Sequence, residues 1–175
     1  MSDKDQPDPG EAPEVKLPWA RPGILVGVDG STDSLDALRL AIEIAPELGL
    51  PVHALVVWDL ATTLYDDYRA ADELAHPQDD AKRVVAATRQ AAFPDGPPPE
   101  WFTIGTERGR PAFVLLSHSS HAAMLALGRR GHGGFLGLLL GSVSAACVSH
   151  ALCPVLLVPA RSAESADEDG ATARR

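Results

Sequence analysis

Short apolar runs alternate with longer amphipathic or polar segments along most of the chain. Five runs have strand length: Ile24 to Val28, Val52 to Trp58, Trp101 to Gly105, Met124 to Leu127 and Val155 to Val158. Most are continuously apolar and bounded by turn residues, which is typical of strands buried on both faces of a parallel sheet. Because the segments between them have helical spacing or turn composition, the pattern predicts strands alternating with helices.

The segment after the first strand has the periodicity of an amphipathic helix. Apolar residues recur there at helical spacing, namely Leu35, Leu38, Ala41, Ile42 and Ala45. Ser31 or Thr32 can cap the start of this helix, and Gly49 is expected to end it. Pro46 lacks a backbone N–H group, so we expect the last turn to loosen there.

Three further helices are predicted around Val84 to Ala92, from Pro111 onward, and over Val143 to Ala151. In the helix that starts at Pro111, a residue suited to a first turn, the buried side is expected to consist of Phe113, Leu115 and Leu116. His118 and His121 have the spacing of metal ligands on a helix. Because no third ligand lies nearby, we interpret both as surface residues.

A glycine-rich stretch, LGRRGHGGFLGLLLGSVS, runs from Leu127 to Ser144, between the fourth predicted strand and the last helix. Gly128 is followed by two residues and Gly131, then by nine residues and Gly141-Ser142. Glycine allows close backbone approach and positive φ, and Ser142 or Ser144 can cap the helix, whose first N–H groups would face an anion. The stretch lacks the lysine of a P-loop. Phosphate is the favoured ligand, and a tight turn without a ligand is the alternative.

Composition and charge narrow the function classes. The 175 residues suit one domain, and the formal net charge of −9 argues against general affinity for nucleic acid or anionic membranes. No apolar run approaches the roughly 20 residues of a membrane span, and no secretory signal is seen. Acidic residues between Asp59 and Asp80 match no calcium loop and indicate a solvated connection. Cys147 and Cys153 fit no zinc pattern, and we expect them to be reduced.

Proline and charge dominate the start of the chain, and alanine, serine and charged residues dominate its end. Residues 1–22 and 160–175 are therefore expected to be disordered tails around a domain at 23–159. Trp19 either attaches the first tail to the domain or is an exposed aromatic residue.

The spacing Gly-x-x-Gly-x9-Gly-Ser resembles the nucleotide loop of the universal stress protein family, in its ATP-binding branch. Three other stretches share the resemblance, which covers roughly residues 22 to 159: Ile24 to Ser31, Gly109 to Ala112 and Cys153 to Val158. It implies a Rossmann-like α/β fold, similar to adenine-nucleotide alpha-hydrolases, with an open five-stranded parallel sheet of order 3-2-1-4-5 and helices on both faces. The ligand crevice of such a sheet lies at the carboxyl ends of strands 1 and 4.

The resemblance also implies site residues. Asp29 would lie beside adenine and ribose, the backbone of Val57 would meet the adenine edge, and Leu127 would pack on the base. The remaining positions would approach ribose or phosphates, namely Gly128, Arg130, Gly131, Gly141, Ser142, Val143 and Ser144. Asp29 has an alternative role as a turn residue that caps the first helix. ATP with magnesium is the implied cofactor, with the metal held mostly by phosphate and water.

Family members commonly dimerise through the last strand, which suggests a homodimer through Val155 to Val158. The implied function is a cytoplasmic, nucleotide-dependent stress or signalling module. A weak ATPase or nucleotidyl-transfer enzyme is the alternative, although no paired base and nucleophile stands out. A nucleotide-free structural dimer is a third possibility, against which the intact glycine spacing argues.

Overall fold

The computed structural model describes residues 19, 21–59, 77–131 and 139–160. One parallel sheet has the strand order β3-β2-β1-β4-β5 and consists of β1 (Ile24–Gly27), β2 (Val52–Trp58), β3 (Phe102–Arg108), β4 (Met124–Gly128) and β5 (Val155–Val158). Within these ranges the helices are α1 (Thr32–Leu48), α2 (Pro77–Ala92), α3 (Pro111–Ser119) and α4 (Ser142–His150). The fold and strand order predicted from the sequence are confirmed.

Residues of the central strands alternate between two cores, one on each face of the sheet. Ile24 and Val26 pack with α1 and α2 on one face, and Leu25 packs with α3 and α4 on the other. Because both faces are covered by helices, the central strands are apolar at nearly every position.

Helix α1 begins and ends at the residues that the sequence indicates. Ser31 is the N-cap, and its hydroxyl accepts a hydrogen bond from the N–H of Ser34 at 3.3 Å. Gly49 ends the helix in the left-handed conformation, with φ of 63°. The helix continues through Pro46 to Leu48, so the predicted loosening does not end it early, because the C-terminal cap bonds hold the last turn.

Helix α2 starts earlier than its periodicity predicts. It begins at Pro77 and therefore includes Asp79 and Asp80, which the sequence predicts to lie in an irregular connection. Both carboxylates lie in the first turn, where the positive end of the helix dipole stabilises them. Each forms an ion pair with a basic residue three positions later, Asp79 with Lys82 and Asp80 with Arg83. The rest of the acidic stretch, residues 60–76, lies outside the described residues.

The buried face of α3 differs from the predicted one. Phe113 is 73% exposed, whereas Val114 and Leu115 are buried. The prediction for Phe113 was wrong because this nine-residue helix is apolar on several sides, so that its spacing does not select one face.

Trp19 lies against two histidines on the α3 side of the sheet. Its indole is stacked on the His53 ring at 4.7 Å between centroids and tilted against the His118 ring at 5.0 Å. His118 is only 1% exposed, and its Nε2 lies 2.6 Å from Oε2 of Glu107. The expectation that His118 is a surface residue was therefore wrong, and Trp19 contacts the body of the domain.

His53 is neutral in its hydrogen-bond network. Its Nε2 donates to the carbonyl oxygen of Arg21 at 3.0 Å, so its Nδ1 accepts from the Thr103 hydroxyl at 2.8 Å. Burial lowers the pKa of His53 below its ordinary value of 6.5, and the bond to the Arg21 carbonyl opposes part of this change.

Stability is expected to fall as His53 takes up a proton. Because its pKa is lower in the folded chain, the unfolded chain binds more protons below pH 6.5, and the free energy of unfolding decreases as pH falls from 6.5 through the folded pKa. Thermal melts between about pH 8 and about pH 5 measure this loss. His53→Gln should remove that part of the pH dependence, whereas His121→Gln, at an exposed histidine, should keep it. Equal pH profiles for wild type and His53→Gln would contradict the assignment.

Cys147 and Cys153 are free cysteines, the first buried and the second half-buried. Burial raises the pKa of Cys147 to about 11, with a smaller contribution from the nearby Cys153. The pKa of Cys153 is also raised by burial, although a hydrogen bond from the backbone of Leu125 opposes the change. Both are therefore protonated and weakly nucleophilic at neutral pH.

Across the part of the chain that the structure describes, no helix has the length and apolar character needed to cross a membrane.

Candidate functional site

The carboxyl ends of β1 and β4 lie side by side at the centre of the sheet. Gly27 is paired with Leu127 in the parallel register, and the chain then leaves these strands in two turns. Strand β1 leads toward β2 on one side, and β4 leads toward β5 on the other. This is the switch point of the sheet, where parallel α/β folds form their ligand crevice.

The turn after β1 is shaped around Asp29. Its Oδ1 accepts hydrogen bonds from the N–H of Ser31 at 2.9 Å and from the Ser31 hydroxyl at 2.6 Å. Gly30 has a φ of 86°, a conformation that side chains with a Cβ rarely adopt. The Asp29 carboxylate is thus oriented by the turn and remains at the surface of the crevice. Asp29 does not cap α1, because Ser31 does.

Gly131 lies directly against that carboxylate. A Cβ atom built on Gly131 would be closer than 3.0 Å to Oδ2 of Asp29. The turn after β1 and the glycine stretch after β4 therefore meet, as the strand order predicts.

Gly128, the last residue of β4, is in contact with the first turn of α1. A Cβ atom at Gly128 would lie 2.6 Å from the carbonyl carbon of Asp33 and 2.7 Å from the nitrogen of Ser34. Both neighbours are backbone atoms, so no side-chain rotation can make room. Glycine is required here for close approach, since Gly128 does not have a positive φ.

The two ends of the glycine stretch are bonded to each other. The N–H of Gly141 donates to the carbonyl oxygen of Arg129 at 2.9 Å. The α-carbon of Arg130 would lie 3.5 Å from a Cβ atom on Gly141, which is an ordinary contact. Gly141 is thus held against Arg129, and residues 132–138 between them lie outside the described residues.

Helix α4 starts at this closure. Gly141 is its N-cap and no side chain caps it, so the predicted capping by Ser142 or Ser144 was wrong. The hydroxyl of the buried Ser144 instead donates to the carbonyl oxygen of Gly128 at 2.8 Å, which ties the helix to the end of β4. The N–H groups of Ser142, Val143 and Ser144 belong to the first turn, where no intrahelical acceptor is available four residues back.

The remaining predicted site residues have different surroundings. Val57 is half-buried near the carboxyl end of β2, and Arg130 is exposed beside the loop closure. Leu127 is only 3% exposed, and its side chain contacts Leu115 in the core cluster. Leu127 therefore presents little side-chain surface to a ligand, and its predicted packing on a base stays a prediction.

One contact at the site is not predicted from the sequence. Oδ2 of Asp33 accepts a hydrogen bond from the N–H of Arg130 at 3.1 Å. Asp33 is not among the predicted site residues. The order 3-2-1-4-5, which places the start of α1 beside the end of β4, was the available signal for this contact.

The arrangement offers hydrogen-bond donors to an anion. The first-turn N–H groups of α4 lie at the positive end of its dipole, and Nε of Arg129 is buried without an acceptor among the described residues. Across residues 19, 21–59, 77–131 and 139–160, no group of three or more His, Cys, Asp or Glu residues is placed to hold a metal ion. Donors for phosphate are thus present, and a magnesium ion here would depend on phosphate and water ligands.

Comparison with known proteins places this geometry in a family. The model of the universal stress protein family matches residues 22–159. The chain belongs to the universal stress protein family. Similar relatives include a universal stress protein of Mycolicibacterium smegmatis, 33% identical over 139 residues, covering 79% of this chain and 46% of the relative. Another, from Mycobacterium tuberculosis, is 30% identical over 158 residues, covering 89% of this chain and 48% of the relative. This universal stress protein therefore spans about half the length of the curated relatives it matches.

Solved structures of the family share the fold. A universal stress protein crystallised in complex with cAMP is 25% identical, has a TM-score of 0.58, and matches 82% of this chain and 100% of its own. A universal stress protein from Archaeoglobus fulgidus in complex with dAMP is 21% identical, has a TM-score of 0.51, and matches 78% of this chain and 97% of its own. The second likeness concerns the fold alone.

Proposed function

We propose that this universal stress protein binds ATP, accompanied by magnesium, in the crevice between the ends of β1 and β4. The observation that carries the proposal is the meeting of the Asp29 carboxylate with Gly131, next to the first turn of α4. A carboxylate can accept hydrogen bonds from ribose hydroxyls, and helix N–H groups donate to phosphates. The cAMP complex of a structure with 25% identity supports an adenine nucleotide as the ligand class.

The proposed nucleotide contacts lie at the carboxyl ends of β1, β2 and β4 and at the start of α4. Asp29 and the backbone of Val57 receive the nucleoside, Gly128 allows close approach of the ribose, and Arg130 and Gly131 approach the phosphates. The loop closure at Gly141 and the first turn of α4, with Ser142, Val143 and Ser144, supply the remaining phosphate donors. Since the Ser144 hydroxyl already donates to Gly128, Ser144 contributes its N–H group.

Nucleotide occupancy is proposed to control a cytoplasmic stress or signalling function rather than to support turnover. Among the described residues, the serines at the start of α4 have no histidine or carboxylate bonded to their hydroxyls, so none is activated as a nucleophile. The domain at 23–159 is the proposed nucleotide-binding unit, and residues 1–22 and 160–175 are proposed tails.

A homodimer through β5 is also proposed. The strand lies at the edge of the sheet, and three of its four residues, Val155, Leu156 and Leu157, are only half-buried. An apolar edge strand with unpaired backbone groups favours pairing with another copy. Light scattering at micromolar concentration should give twice the mass of one chain, and the mass of a single chain would refute the dimer.

Nucleotide binding is tested on freshly purified protein. Denaturation and chromatography should release ATP, and stripped protein should melt at a higher temperature with ATP-magnesium. Binding to the folded state alone stabilises it by about 2.7 kcal/mol at 100 times the dissociation constant. Parallel titrations with ADP, AMP and cAMP determine which phosphate group is preferred. If no nucleotide is recovered and none shifts the melting temperature, the proposal is wrong.

A further inference from the structure

Asp33 is a buried acidic residue at the edge of the proposed nucleotide crevice. It lies in the first turn of α1 and is 8% exposed. Its Oδ2 accepts the N–H of Arg130 at 3.1 Å, across 97 positions of sequence. A buried carboxylate is costly unless it is hydrogen-bonded, so this bond is expected to persist.

The position of Asp33 relative to β4 is fixed by backbone packing. The carbonyl carbon of Asp33 lies so close to Gly128 that a Cβ atom there would approach it to 2.6 Å. The first turn of α1 therefore rests on the end of β4, and the Asp33 carboxylate reaches the glycine loop from a rigid base.

The peptide group between Arg129 and Arg130 is held by two hydrogen bonds, one at its N–H and one at its carbonyl oxygen. The peptide that joins Arg129 to Arg130 donates its N–H to Asp33, and its carbonyl oxygen accepts the N–H of Gly141 at 2.9 Å. Rotation of this peptide would break both hydrogen bonds. The carboxylate therefore sets the peptide orientation that closes the loop and places Gly141 as the N-cap of α4.

We propose that Asp33 is a positioning residue for the nucleotide loop: it fixes the Arg129–Arg130 peptide so that the first turn of α4 faces the phosphates. This inference rests on the proposed nucleotide function. In this role Asp33 acts through the Arg129–Arg130 peptide and not by contact with the phosphates, which its negative charge would repel.

Two variants in the full-length chain separate positioning from charge. Asp33→Asn keeps an oxygen acceptor for the Arg130 N–H, whereas Asp33→Ala removes it. ATP-magnesium affinity is measured by calorimetry well below the melting temperature. Because the lost bond involves a charged acceptor, Asp33→Ala is expected to weaken binding about tenfold. Asp33→Asn should stay within about threefold of wild type, since its amide oxygen can replace the carboxylate.

Hydrogen exchange at the amides of Arg130 and Gly141 gives a readout that does not depend on ATP. Both amides should exchange faster in Asp33→Ala than in Asp33→Asn, because loss of the first bond frees the peptide that holds the second. Unchanged exchange at Gly141 would overturn the inference, as would a lower melting temperature with unchanged ATP affinity. Tighter binding by both variants would mean that Asp33 acts only as a repelling charge, which also overturns it.

The two proposals fail in different ways. If wild type does not bind ATP, the proposed function is wrong, and the exchange rates at Arg130 and Gly141 still decide whether Asp33 orders the loop.

Discussion

Gly128→Ala should destabilise the domain, with a decrease of about 1–3 kcal/mol in the free energy of unfolding, the usual cost of overpacking. The new methyl group would lie 2.6 Å from the Asp33 carbonyl carbon and 2.7 Å from the Ser34 nitrogen. These backbone atoms belong to the first turn of α1, so the helix or the end of β4 must move. Urea denaturation followed by circular dichroism measures the change.

Gly105→Ala is the matched control for this prediction. Gly105 also lies in a strand, but a Cβ atom there meets nothing within 4 Å. Alanine also reduces the freedom of the unfolded chain, so this variant should be neutral or up to about 1 kcal/mol more stable. Equal unfolding curves for the two variants would show that Gly128 is not required for the contact between β4 and α1.

Gly131→Ala should weaken ATP binding about tenfold or more while leaving the free energy of unfolding nearly unchanged. Its methyl group would collide with Oδ2 of Asp29, whose other oxygen accepts two hydrogen bonds from Ser31. Either the carboxylate rotates and loses these bonds, or the glycine loop moves away from β1. Both changes separate groups that the nucleotide would contact together. Because Gly131 is exposed, the core is not disturbed.

The effect of Gly131→Ala is measured by calorimetric titration with ATP-magnesium. Gly96→Ala serves as the control, because a Cβ atom at Gly96 has open space around it and the residue lies away from the crevice in sequence. ATP affinity equal to wild type in Gly131→Ala would show that the meeting of Asp29 with Gly131 is not part of the nucleotide site.

The sheet was predictable from the sequence because its signal is local and repeated. β2 and β5 have the predicted bounds, since each is a run of mostly apolar residues between turn residues. The cap residues of α1, Ser31 and Gly49, were also predicted, because each acts through its own backbone or hydroxyl. The strand order came from the family resemblance and not from the pattern itself.

The errors concern residues whose surroundings are set by distant parts of the chain. His118 is buried because Trp19 and Glu107 lie against it, and neither is near it on the same helix. The bond from Arg130 to Asp33 likewise joins residues 97 positions apart. The serines at the start of α4 were predicted to cap the helix, but the Ser144 hydroxyl instead donates a hydrogen bond to the carbonyl oxygen of Gly128 in β4. Short-range spacing carries no information about such contacts.

The location of nucleotide binding is tested most directly by recording amide resonances during titration with ATP-magnesium. The largest shift changes are expected at the carboxyl ends of β1 and β4 and in the first turn of α4, at Asp29, Gly128, Gly131 and Ser142 to Ser144. Residues at the amino-terminal ends of the strands, such as Ile24, Val52 and Phe102, should not respond, because they lie at the far end of the sheet from the crevice. Shift changes centred on those amino-terminal strand ends, or none at saturating ATP, would contradict a nucleotide site between β1 and β4.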